Sequence, residues 1–166
     1  MRPVETVLRR VEDVLHILGC AALVVIAVLI NLDILLRVLL GRALEMQFEL
    51  TEFYLMPALA TLSLAWVYRQ GGHLALEVDL SRIFGSARDI VRRLVQALAA
   101  AFFLIVCYVS GKYCLNAFLN DDVNFGVYDW PLGWSYLPVP LGTGVLALRL
   151  MHDMTRRGAE KRPEPT

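Results

Sequence analysis

Arg69 to Arg93 reads RQGGHLALEVDLSRIFGSARDIVRR. It is the one long polar-rich segment in an otherwise oily chain, with two long apolar runs before it and two after. It holds five of the sixteen basic residues: Arg69, Arg82, Arg88, Arg92 and Arg93. Taken as a connector between two pairs of apolar helices, it sets both the number of membrane spans and their orientation. Gly71 and Gly72 end the preceding helix, as glycine commonly does. Leu74, Leu76, Val78 and Leu80 then alternate with other residues. From Ile83 the apolar positions turn helical: Ile83, Phe84, Ala87, Ile90, Val91 and Leu94. Residues 73–93 are therefore expected to form an amphipathic connector lying on the membrane surface. Its arginines either contact anionic lipid or simply stay solvated on the retained side.

The totals support a membrane protein. Of 166 residues, 57% are hydrophobic and only 19% charged, and the formal net charge is zero. A soluble domain carries about 25% charged residues. The apolar residues fall in blocks long enough to cross a bilayer, which takes about 20 residues per helix. The fold class expected is an all-α integral membrane bundle of four transmembrane helices in one domain over residues 1–154. The spans run about 14–36, 48–68, 94–115 and 131–151, and residues 155–166 form a charged, Pro-containing disordered tail. Thirteen Lys and Arg lie at the termini and in the connector, against Arg37, Arg42 and Lys112 on the other side. By the positive-inside rule both termini are cytoplasmic.

Before span 1, Val4, Val7, Leu8, Val11 and Leu15 recur at helical spacing, with Glu5, Arg9, Arg10, Glu12 and Asp13 opposite. This predicts a short interfacial helix leading into the span. A cleaved signal peptide is not expected, because the apolar run is too long and no small-x-small site ends it. Asp33 and Arg37 are four apart and can pair. Glu45, Glu49 and Glu52 share one face at the start of span 2. They look for partners, Arg37 and Arg42 being nearest, or else offer a weak cation site. Pro57 is expected to kink span 2. In span 3, Ala97 and Ala101 would let a neighbouring helix approach. At the start of span 4, Asp129 can cap and Pro131 suits the first turn. Pro138 and Pro140 then interrupt the ladder. Trp130, Trp134 and Tyr136 resemble an aromatic belt.

Motifs for chemistry are few. There is no phosphate loop, nucleophile elbow or HExxH. Cys20, Cys107 and Cys114 lack metal-ligand spacing and read as buried small hydrophobes. No cofactor, metal, catalytic residue or nucleic-acid partner is expected. His16 and His152 sit near the same ends of spans 1 and 4. That leaves a haem-bearing anchor of an oxidoreductase as one alternative, and a small stand-alone exporter as another.

Four features, in order, resemble the small membrane subunit of tripartite ATP-independent periplasmic (TRAP) transporters, the DctQ-like proteins. They are the four-span plan, Arg37 with Gly41-Arg42 and an acidic start to span 2, Arg69-Gln-Gly71-Gly72-His73-Leu with acids shortly after, and Trp130-Pro131 followed by Tyr136-Leu-Pro138-Val-Pro140-Leu-Gly142. The family's paired acids are split here as Glu49 and Glu52, and spacing to His73 favours Glu49. Glu77 stands where Asp is usual, with Asp79 as the other candidate.

The resemblance implies a scaffold subunit, not an enzyme, in the bacterial inner membrane. Its partners would be a large membrane (DctM-like) transport subunit and a periplasmic substrate-binding protein, with lipid around them. Uptake of an organic acid would run on an ion gradient such as sodium. Arg37, Arg42, Glu49 and Glu52 would form a subunit-interface or structural network. Arg69, Gly72, His73, Glu77 and Asp79 would make connector contacts.

Overall fold

The computed structural model describes residues 3–70, 88–126 and 128–159. The connector residues Gly72, His73, Glu77 and Asp79 lie outside the described residues, so of the expected amphipathic segment only its last turns, from Arg88, are in view.

Helix α1 spans Pro3–Leu40. It is one uninterrupted helix, not an interfacial helix followed by a span. At 1.5 Å per residue its 38 residues measure about 57 Å, well beyond the ~30 Å hydrocarbon core. Gly41, at φ +64, ends it with the left-handed residue that helix C-termini favour. The inward stripe of α1 is Glu5, Glu12, Gly19, Ile26 and Asp33, all buried and seven residues apart. Its apolar residues, such as Val7, Ile17, Val24 and Val28, face outward. Glu5 and Glu12, read as part of the wet face of an interfacial helix, thus point into the bundle. This is the arrangement expected where the surroundings are lipid and polar groups must find protein.

The second span is composite: α2 Glu45–Leu50, a π-helical turn Thr51–Leu55, α3 Met56–Leu62 and α4 Leu64–Arg69. Pro57 explains the π turn. It has no N–H to give the Phe53 carbonyl, so the ladder widens just before it. The Ser135 hydroxyl takes up that carbonyl from across the bundle.

After the undescribed segment, α5 covers Arg88–Leu119. A two-stranded antiparallel hairpin follows, β1 Val123–Phe125 and β2 Asp129–Pro131, in the register Val123↔Pro131, Asn124↔Trp130, Phe125↔Asp129. Then come α6 Leu132–Tyr136 and α7 Pro138–Ala159. The hairpin was not anticipated, and it changes the start of the last helix. Asp129 is held in the ladder instead of capping, and Pro131 is the extended N-cap residue of α6, with no side-chain cap bond. Leu137 keeps helical angles, so α6 and α7 form one interrupted path. Both prolines fall in the first turn of α7, where N–H groups lack helical partners anyway. The helix continues to Ala159, into the segment read as tail.

Among the described residues, three helices are long and apolar enough to cross a membrane: Glu5–Leu40, Glu45–Arg69 and Arg93–Leu119. The α6–α7 path is the central element, packed against α5, α3, α4 and α1. Leu146, Ala147 and Leu150 are buried there, with Ala65 and Ala100 in the same core. A helix covered by its neighbours can carry Thr143, His152 and Asp153 without showing lipid a long apolar face. That is why composition marks it less strongly. The face of α5 turned to α7 is Ala100, Phe103, Cys107, Gly111, Cys114 and Ala117. Ala97 and Ala101 are exposed, and the close approach uses the buried Ala100 between them. Cys114 is buried as expected, whereas Cys20 is exposed.

Candidate functional site

The stretches 14–32, 53–68, 94–111 and 130–148 contain no Asp, Glu, Lys or Arg. Charge is gathered at the two ends of the bundle, and at each end it ties helices together.

At the end carrying both terminal segments, Glu12 is fully buried and bridges two arginines. Arg69 Nη1 donates to Glu12 Oε2 at 3.1 Å and Arg149 Nη1 to Glu12 Oε1 at 3.4 Å. Arg69 also pairs with Asp13 and reaches the Arg9 carbonyl at 3.4 Å. Arg149 Nε lies 3.5 Å from Asp153 Oδ1, and His152 Nδ1 lies 3.8 Å from the same oxygen. One carboxylate thus locks α1, α4 and α7 together. A buried charge is tolerable only when paired in this way. Of this cluster the sequence singled out Arg69, as a connector contact, and His152, as a haem candidate. Glu12 could have been found from its place among Leu8, Val11 and Leu15, on the helix side nearest the apolar residues.

One turn deeper, His16 lies flat on Trp66, ring centroids 3.9 Å apart and planes 2° apart, with Nδ1 3.2 Å from Ser63 Oγ. Gly19 makes room, since a Cβ there would fall 2.6 Å from that hydroxyl. This stacking accounts for His16 as a packing residue of α1 against α4, without a haem. Among the described residues, no group of three or more His, Cys, Asp or Glu is arranged to hold a metal ion.

At the other end, Asp33 accepts from Arg37 Nη2 at 2.9 Å and from the Leu44 backbone N–H at 2.7 Å. It closes the loop between α1 and α2 over a buried carboxylate. Arg37 is therefore committed to Asp33, not to the acids of span 2. Glu49 accepts instead from Trp130 Nε1 at 2.7 Å. Arg42 and Glu52 are exposed and form no ion pair among the described residues. Tyr54 donates to the Pro131 carbonyl at 2.8 Å, and its ring meets Trp130 edge-on. Thr61 Oγ1 donates to Pro57 O at 2.7 Å and Pro138 O at 3.0 Å, and Cys107 Sγ to Pro140 O at 3.4 Å. So Trp130, Pro131, Pro138 and Pro140 are all points where the last helix is fastened.

Glu49→Ala removes the acceptor that holds Trp130. Hydrogen exchange is expected to rise at residues 123–131, with membrane insertion unchanged, and assembly or transport to weaken. Glu49→Gln, which keeps an acceptor oxygen, should restore most of the protection. Exchange mass spectrometry of wild type and both variants checks this.

The outcome is a helical membrane bundle braced at both ends, with an apolar middle and no assembled catalytic group among the described residues. Residues 26–159 match the family model for tripartite ATP-independent periplasmic transporters, DctQ component, and the chain belongs to that family. It is thus a small permease subunit of a TRAP transporter, from a family of transporter components and not of enzymes. No curated protein and no solved structure matches it.

Proposed function

We propose that this chain is a rigid, non-catalytic scaffold that braces the large DctM-like transport subunit in the bacterial inner membrane. The observation that carries this reading is where the charge goes. The described acids and arginines are largely used to fasten the chain's own helices, and the middle offers no charged path for a solute or ion. A transport pathway needs polar groups at membrane depth. Large apolar faces on α1 and α5 stay uncovered, including Val24, Val28, Leu98, Phe102 and Ile105. Such faces suit lipid or a larger membrane partner.

In this reading α6–α7 makes a fourth crossing and the termini are cytoplasmic, as thirteen basic residues against three favour. Arg37, Arg42, Glu49 and Glu52 then lie at the periplasmic end. There Arg42 and Glu52, which are exposed, are available to the large subunit or to the binding protein. Arg69, Gly72, His73, Glu77 and Asp79 belong to the cytoplasmic connector. Substrate, an organic acid, is delivered by the binding protein and moved by the large subunit at the expense of an ion gradient such as sodium.

A tagged pull-down in mild detergent with mass spectrometry tests the scaffold. A stable, much larger multi-span membrane partner is expected. Recovery of this chain alone, as monomer or self-associated, would count against it.

A further inference from the structure

The β1–β2 hairpin has two unlike faces. Trp130, opposite Asn124 in the ladder, gives its indole N–H to Glu49. Gly126, at the turn, sits so close to Glu49 that an added Cβ would fall 2.2 Å from its Oε1. Tip and base both rest on the start of the second span, so the hairpin lies along the end of the bundle and does not stand away from it. Side chains alternate across a strand, so Phe125 and its partner Asp129 take the other face. Phe125 is 86% exposed and Tyr128 54%. Phe48, Leu119 and Trp134, on the helices the hairpin joins or rests on, are also exposed.

The level of this surface is fixed by the chain. Helix α5, one of the three fit to cross a membrane, ends at Leu119, four residues before β1. The hairpin is fastened sideways to Glu49 and Tyr54, in the first turns of another. Its exposed aromatics therefore sit where the spans leave the hydrocarbon, the layer that aromatic side chains favour. Charge selects among lipids. Residues 116–131 carry Asp121, Asp122 and Asp129 and no Lys or Arg. An anionic headgroup would be repelled, whereas a zwitterionic one presents a cationic group at the surface.

We propose that this hairpin is a lipid-binding element that seats Phe125 and Tyr128 in the headgroup layer of a zwitterionic leaflet. It goes beyond the scaffold reading and needs only the membrane-spanning character of the chain, so the pull-down and the following test fail independently.

The test uses the full chain, with any partner it retains, in phosphatidylcholine nanodiscs. Cys20, Cys107 and Cys114 are replaced by alanine and Phe125→Cys carries a spin label. Collision with oxygen and with a water-soluble nickel chelate gives its depth. Nickel access at least threefold below that of free label, with oxygen access retained, is expected. Nickel access equal to free label, or shielding from both agents as under a covering protein, overturns the proposal. Should the cysteine-free chain misfold, Phe125→Trp in the native background serves with brominated phosphatidylcholine. Quenching of the added emission supports the proposal, and unquenched emission overturns it. Exchange of phosphatidylcholine for phosphatidylglycerol at low salt should raise nickel access, and deeper seating there would overturn the lipid preference.

Discussion

Glu12→Ala is expected to destabilise the folded chain by about 3 kcal/mol, toward the lower end of the range for breaking a buried ion pair. The carboxylate is fully buried between Arg69 and Arg149, so its loss leaves two guanidiniums facing each other without the anion they share. Each keeps one further acid, Asp13 for Arg69 and Asp153 for Arg149, which holds the cost down. Thermal unfolding in a fixed detergent measures it, by a lower midpoint for the variant. Arg149→Met should be comparably damaging, because it leaves Glu12 with a single partner. The pairing makes the double variant informative: if Glu12 and Arg149 act through each other, its loss will be clearly less than the sum of the singles. Strict additivity would show that the bridge is not a unit.

Gly142→Val should be the most damaging substitution among the described glycines. A Cβ at 142 would lie 2.2 Å from the Thr61 carbonyl oxygen and 2.5 Å from its carbon. These are backbone atoms of α3, so no side chain can swing aside. Helices α3 and α7 must separate, and the Thr61 bond to the Pro138 carbonyl goes with them. Even Ala at this position should cost about 1–3 kcal/mol, as overpacking does. The comparison is Gly111→Ala, where the nearest atom is Pro140 Cβ at 3.9 Å, an ordinary contact. Size-exclusion profiles and unfolding midpoints should separate the two. Equal behaviour would mean that the α3–α7 approach is looser than described.

Much of the helical plan was legible because lipid imposes a local rule: long apolar blocks separated by charge. The three candidate spans, the place of Pro57 and the break near Pro138 all follow from residues close together in sequence. What was hidden is what joins distant residues. Glu12 looked like part of a wet face because its partners lie 57 and 137 residues away. Arg37 pairs with Asp33, four residues away, as the spacing allows, but Glu49, read as a neighbour of Arg37 and Arg42, is met instead by Trp130, 81 residues on. Ala97 and Ala101 missed the packing face by one position, since small residues flank Ala100 on both sides and spacing cannot choose among them. The hairpin gave no alternating pattern, because three-residue strands are too short to show a period.

The bridge at Glu12 also sets a clock for biogenesis. Arg149 is made 137 residues after Glu12. At about 5–20 residues per second of synthesis, that is a wait of roughly 7–27 s. Throughout it the carboxylate has at most part of its final company, and Asp13 and the neighbouring arginines keep that segment near water. The first helix can therefore thread its apolar part early, but Glu12 reaches its final pairing only after residue 149 has been made. A released chain truncated before residue 149 should hold its N-terminal dozen residues more open to water-soluble reagents than the released 166-residue chain does.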